Sequence, residues 1–334
     1  MSVTTLAGRP VKRIGLGCMN LSHAYALRPS EEDAVALLNE ALDAGYNHLD
    51  TASLYGNGVN ERLLGQAVMQ RRDEFLLASK CGMRPGPDGR KAIDGRPETL
   101  RQTCEDSLRN LGVDHIDLYY LHRWDKRLPI EDSVGELARL KEEGKIGHIG
   151  LSEVSAPTLR RAYDEHPIAA VQSEYSLMAR NPEIAVLEAC EQLDITFVAF
   201  SPVARGMLAE KPVRLEDLPE KDMRHKQPRF QPDHFPANLK LVQRLTELAG
   251  QQGCHTSQLA LAWLLHQSNN LVAIPGTISS KHLRSNLAAN DIVLPKTLLD
   301  ELDQLFHHSR ISGARKPAAT ANESDTEEFA DASG

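Results

Sequence analysis

The sequence predicts a single (β/α)8 barrel, the TIM fold, of the α/β class. Three observations carry that prediction. Eight short β-type runs are spaced along the chain, helix-like stretches lie between them, and several of the runs are apolar almost throughout. Strands apolar on both faces belong to parallel sheets that helices cover, joined in βαβ units. An open doubly wound sheet satisfies the same pattern, but eight units in about 250 residues favour the barrel.

The runs fall at 14–18, 47–52, 75–80, 116–122, 146–152, 169–175, 196–202 and 271–276. Helices are expected between them. The stretch 29–44 opens with Pro29 and Ser30, is acidic in its first turn and stops at Gly45, all helix boundary signals. The stretch 96–110 carries Pro97 and Glu98 near its start. Shorter helical patterns occupy 137–141 and 157–164, and later ones 182–192, 237–251, 255–267, 279–289 and 295–307. Strand starts lie 23 to 41 residues apart, except for 75 between the last two. That gap holds 205–236, rich in proline and in charge of both signs. A loop that long in a compact domain is usually functional or mobile. Following strand seven, it is expected to overhang the active face. The sequence divides into a barrel over 1–309 and a flexible acidic tail over 310–334, small and polar in composition.

Composition narrows the function. Of 334 residues, 41% are hydrophobic and 25% charged, which excludes disorder for the bulk. The net charge of −8 disfavours nucleic acid, whose binding rests on clustered cations. No run approaches the roughly 20 apolar residues of a membrane span. The N-terminus lacks an apolar signal core, and the five cysteines are widely spaced with no CxxC pair. These features predict a cytoplasmic protein without disulfides. The histidines form neither HxH nor HExxH, so no metal site is expected.

Two motifs bear on chemistry. GLGCMN at 15–20 begins like a dinucleotide fingerprint, but Asn20 holds the third glycine position and no helix pattern opens there. The second motif is spatial. Asp50, Lys80 and His122 end three consecutive predicted strands, and Tyr55 follows Asp50 by five residues. In a barrel, strand C-termini converge on the active face. The set suits proton transfer by tyrosine. A free phenol, with pKa about 10, is a poor acid or base at neutral pH, and a nearby ammonium lowers that value. Asp50 would hold Lys80, and a neutral His122 would orient a carbonyl oxygen.

The stretches GLGCMNLS, LDTASLYGNGVNERLLG, FLLASK, DLYYLHRWD, KIGHIGLSEVSA, AVQSEYSL and FSPVARGML, in that order over about 14–305, together resemble the aldo-keto reductases. The resemblance is to the branch that includes auxin-induced-like and pyridoxal reductase-like members. It implies a barrel binding NADPH across its strand ends, with no metal, and reduction of aldehydes or ketones to alcohols. The family's tetrad falls on Asp50, Tyr55, Lys80 and His122, all intact, with Tyr55 as general acid/base. Its nicotinamide contacts fall on Ser152, Glu153 and Gln172, with Glu153 where most members carry Asn. Phe200 holds the place of an aromatic that stacks on the nicotinamide. Ser201, Pro202, Arg205 and Gly206 match the strap over the pyrophosphate, with Ala204 replacing a usual Gly. Gly276, Thr277, Ser279, Lys281, His282 and Asn286 fall in the adenine-end pocket. Many NADPH-preferring members have Arg or Lys where this chain has Ile278 and His282. NADPH is therefore the expected cofactor and NADH the alternative. Met19, Tyr25 and Trp124 are the substrate-pocket candidates. The expected partner is a small carbonyl substrate, with no nucleic acid and no membrane, for a monomer or homo-oligomer. The alternative function is a cofactor-binding regulatory or redox-sensing subunit with little turnover.

Overall fold

Apolar runs with parallel neighbours are what the chain builds. The computed structural model describes residues 3–86 and 91–330. An antiparallel hairpin comes first, β1 (Val3–Leu6) with β2 (Arg9–Lys12). There follow β3 (Leu16–Gly17), α1 (Glu31–Asp43), β4 (His48–Asp50), α2 (Val59–Val68) and β5 (Leu76–Cys81). A second hairpin, β6 (Met83–Pro85) and β7 (Lys91–Ile93), precedes α3 (Pro97–Leu111) and β8 (Ile116–Leu121). The alternation continues with α4 (Ile130–Glu142), β9 (Ile146–Ser152), α5 (Ala156–Glu165), β10 (Ala170–Glu174), α6 (Val186–Gln192) and β11 (Thr196–Phe200). The chain then runs through α7 (Phe235–Gln251), α8 (Thr256–Leu265), β12 (Leu271–Ala273), α9 (Ser280–Ala288) and α10 (Lys296–Leu305).

Strands β3, β4, β5, β8, β9, β10, β11 and β12 pair in that order. A parallel bridge from Ile14 to Ala273 closes the sheet on itself, with Gly15 N–H donating to the Ala273 carbonyl at 2.9 Å. Each expected strand is present within a few residues of its predicted bounds. Alternation of side chains along each strand separates two cores. Leu49, Leu77, Tyr119, Leu151 and Phe197 pack outward under the helices. Leu76, Ala78, Leu118, Ala170, Val198 and Val272 fill the barrel, and Leu6 and Val11 of the first hairpin join them. That hairpin closes the end opposite the strand C-termini.

Local signals set the helix ends. The Ser30 hydroxyl accepts from the Asp33 N–H at 3.1 Å, and Glu31, Glu32 and Asp33 occupy the first turn of α1. Pro97 opens α3, and Gly112 ends it at φ +68°. Helix α2 was not expected, because Gly58 offers no side-chain cap and Gly65 interrupts the pattern. The structure gives the reason for Gly65. A Cβ there would lie 2.8 Å from the Asn110 and Leu111 carbonyls, so the glycine permits α2 to pack closely on α3.

Segments beyond the barrel cover its C-terminal face. The loop over 205–236 does overhang it: Asp222 Oδ2 accepts from Ala26 N–H at 3.2 Å, and Arg224 sits 5.0 Å from the Tyr25 ring centroid. The tail differs from the flexible segment expected. Its residues up to Ala330 are described and lie against the barrel, while 331–334 fall outside the described residues. Asp325 accepts from the Ser155 hydroxyl at 2.8 Å, and Glu327 from Ala156 N–H at 2.7 Å. Both carboxylates thus sit at the positive N-terminus of α5. Asn181 bonds Glu328 at 2.7 Å, and Lys91 pairs with Glu323. A polar segment orders here through charge partners, which its composition does not reveal. Among the described residues, no helix is long and apolar enough to cross a membrane.

Candidate active site

The two-residue period of the strands decides which polar side chains enter the barrel. Lys80 continues the inward series Leu76, Ala78; His122 continues Leu118, Tyr120; Gln172 and Glu174 continue Ala170. Asp50 and Ser152 hold the corresponding places on β4 and β9, whose outward neighbours are Leu49 and Leu151. The predicted strand-end set therefore converges at one end of the barrel.

Lys80 is the centre of that set and is wholly buried. Its ammonium is paired with Asp50 and donates to the Thr51 carbonyl at 2.7 Å and to the Tyr55 hydroxyl at 3.4 Å. The Gln172 amide donates to the other Asp50 oxygen at 2.8 Å, so both carboxylate oxygens are occupied. Lys80 also lies 5.1 Å from the Tyr55 ring centroid. Tyr55 is flanked by His23, stacked at 5.7 Å, and by His122, edge-on at 5.9 Å.

The electrostatics correct one expectation. Burial pushes the Tyr55 phenol above its ordinary value, and the pull of Lys80 only partly opposes this. Tyr55 is thus protonated at neutral pH. Burial also opposes the Lys80 charge, but Asp50 and Tyr55 more than offset it and raise Lys80 overall. His122 is held well below the imidazole range by burial and then by Arg123, Lys80, Lys91 and His23. Among the described residues its Nδ1 is buried without a partner. A proton on Nε2 therefore leaves no buried N–H unbonded.

A cavity of about 1030 Å3 begins at Tyr55 and His122 and runs to Lys281, His282 and Asn286 on α9. Its walls include Met19, Tyr25, Asp50, Ser152 and Gln172. Phe200, Ser201, Pro202, Arg205, Gly206, Gly276 and Thr277 also line it. At the far end, the Thr277 hydroxyl accepts from Ser279 N–H at 3.1 Å and Ser279 caps α9. Arg284 is spent on Glu40 at 2.9 Å, so Lys281 is the cation of that helix turn on the cavity wall. Ala204 keeps a left-handed backbone, φ +48°, as does Arg205 at +57°. The strap thus holds a turn that non-glycine residues adopt only at a cost.

Four predicted residues do not line the cavity: Lys80 behind Tyr55, Ser279 as a cap, Glu153 and Trp124. Trp124 turns outward. Its indole N–H bonds the Leu128 carbonyl at 2.9 Å, and Arg161 lies 5.8 Å from its ring. Glu153 is buried, and its carboxylate accepts from Glu174 N–H at 2.9 Å and pairs with Arg315 and Lys316. Burial alone would raise this acid, but Arg315 and Lys316 hold it well below the carboxylate range. A buried carboxylate takes the nearest cations, and the tail supplies them. Glu174 is likewise paired with Arg205. Lys316, Pro317, Thr320 and Glu323 of the tail line the cavity, a contribution sequence reasoning missed. The adjacent Arg315 and Lys316, basic in an otherwise acidic tail, were the available signal.

Comparison with known proteins places this geometry. The model of the aldo/keto reductase family matches residues 13–306. The structure is similar to the glycerol dehydrogenase AKR11B4 of Gluconobacter oxydans, at 27% identity and TM-score 0.83, over 92% of this chain and 96% of that one. It is similar to the aldo-keto reductase AKR11C1 of Bacillus halodurans, solved in its holo form, at 26% identity and TM-score 0.76, over 92% and 97%. An aldo/keto reductase of Klebsiella pneumoniae, solved with NADP and acetate, matches at 27% identity and TM-score 0.70, over 91% and 95%.

Proposed function

The chain belongs to the aldo/keto reductase family, and on that premise we propose that it uses NADPH to reduce the carbonyl of an aldehyde or ketone to the alcohol, with Tyr55 as the proton donor. The observation that carries this reading is the buried Lys80, held by Asp50 and bonded to a protonated Tyr55 beside a neutral His122.

The residues present fit a dinucleotide. The cavity is long, is apolar around Phe200 and Pro202, and ends with Thr277 and Lys281 at the N-terminus of α9, which Ser279 caps. A helix N-terminus with hydroxyls and a cation suits phosphate. Ser152 and Gln172 line the nicotinamide end, and Arg205 and Gly206 the strap. Bound there, NADPH supplies the hydride. Glu153, spent on the tail, is assigned instead to anchoring Arg315 and Lys316.

The protein's own part is proton transfer and positioning. The carbonyl oxygen accepts from the Tyr55 hydroxyl and the His122 N–H, which fix its orientation. As negative charge gathers on that oxygen, Tyr55 gives up its proton. Lys80 stabilises the phenolate left behind, and Asp50 keeps Lys80 charged and in place. Tyr55→Phe tests this assignment. Carbonyl reduction is expected to fall about 100-fold or more while NADPH affinity, read by fluorescence titration, stays near wild type. Unchanged turnover in the variant would contradict the role.

A further inference from the structure

The substrate end of the cavity is lined by cations although the chain carries a net charge of −8. Lys91, Arg123 and Lys316 all line the cavity, Arg123 next to His122 in the chain and Lys316 paired with Glu153 next to Ser152. Burial depresses His122 most, and the charges of Arg123, Lys80 and Lys91 then act in the same direction.

Most of these cations already have carboxylate partners. Lys80 has Asp50, Lys316 has Glu153, Lys91 has Glu323, and deeper in the cavity Arg205 has Glu174. Arg123 differs. Among the described residues it forms no ion pair. Its Nη1 donates to the His122 carbonyl and to the Ser152 hydroxyl, the latter at 3.2 Å. Its Nε is buried without a partner, and Nη2 makes no hydrogen bond. A buried donor left unbonded costs about 1–3 kcal/mol, so an orphan in a site calls for an account. Nη2 is the donor of this guanidinium left for an oxyanion, the group arginine most often recognises. Nη1 meanwhile ties the group to the backbone of the residue that orients the carbonyl.

We propose that the substrate is a carbonyl compound bearing an oxyanion, carboxylate or phosphate, and that Arg123 selects it. The proposal deepens the carbonyl-reductase reading and rests on it. The anion sits on Arg123 with Lys316 and Lys91 nearby, while the carbonyl reaches Tyr55 and His122. The carboxylates lining that end, Asp50 and Glu323, are paired with Lys80 and Lys91, which lessens the repulsion an incoming anion meets.

The test uses the full-length protein with saturating NADPH and matched pairs of aldehydes. One pair is para-carboxybenzaldehyde against benzaldehyde, the other glyceraldehyde phosphate against glyceraldehyde. Wild type is expected to favour the charged member of at least one pair by about 10-fold or more in kcat/KM, and the pair that responds identifies the anion. In Arg123→Gln the charged-to-neutral ratio is expected to collapse towards one, and Arg123→Lys to restore part of it. Acetate or inorganic phosphate should inhibit reduction of the neutral aldehyde competitively in wild type, a readout that stands if the variants do not fold. Neutral aldehydes reduced as fast as charged ones, with no inhibition by either anion, would overturn the inference and leave the reductase reading intact. A ratio unmoved by Arg123→Gln would overturn the role of Arg123. Reduction of no aldehyde would overturn the reading beneath both.

Discussion

At the scale of single residues, the proposed reaction depends on two protonation states that burial sets. Tyr55 must be a phenol when the carbonyl arrives, and its burial keeps it so. His122 must be a neutral donor, and burial among cations prevents its protonation. The sign of the resulting pH dependence follows. A free imidazole gains a proton as pH falls through about 6.5. With its value held well below that, His122 remains neutral across this range, and kcat/KM for a neutral aldehyde should show no loss centred there. A pH profile checks it, and a limb at the ordinary imidazole value would contradict the assignment. His122, like Asp50 and Lys80, was legible in the sequence because a polar residue closing an apolar run on a barrel has one face to occupy, and Tyr55 because it follows Asp50 by five residues. Glu153 was not. The family resemblance implied a cofactor contact there, but its partners, Arg315 and Lys316, lie more than 160 residues away and nothing local announces them. Trp124 misled for the opposite reason. Nearness to His122 in sequence suggested a shared pocket, while the loop turns the ring towards Arg161.

At the scale of elements, the strands and most helices could be read from period and boundary residues. What escaped were elements made by tertiary contact. Helix α2 has its glycine for the sake of α3, and the tail has its carboxylates for the sake of α5. The tail is held to the barrel by one deep anchor, Arg315, which is 3% exposed and paired with the wholly buried Glu153. Removing one partner of a buried pair costs about 3–5 kcal/mol, because the other charge is stranded. Lys316 remains on Glu153, which points to the lower end of that range. Arg315→Met should therefore lower stability by about 3 kcal/mol in denaturant unfolding. It should also expose 316–330 to proteases that leave the wild-type tail intact. Equal cleavage of the two proteins would contradict the anchoring role.

At the scale of the whole molecule, the barrel concentrates chemistry at one end and stability at the other. The first hairpin and the apolar interior close one mouth. The loop over 205–236 and the tail narrow the other, so the cavity is long, roofed and entered from one face. Global averages conceal this. The net charge of −8 is a mean over the chain, whereas in the cavity Asp50 and Glu323 are paired with cations and Arg123, among the described residues, is in no ion pair. The central claim is that a carbonyl carbon receives hydride from NADPH in this cavity. It is tested most directly by supplying an aldehyde and NADPH deuterated at the nicotinamide carbon that donates, then weighing the alcohol formed. The account predicts one deuterium on the carbinol carbon of each alcohol, with one NADPH oxidised per turnover. An alcohol without deuterium, or NADPH oxidised with no alcohol formed, would contradict it.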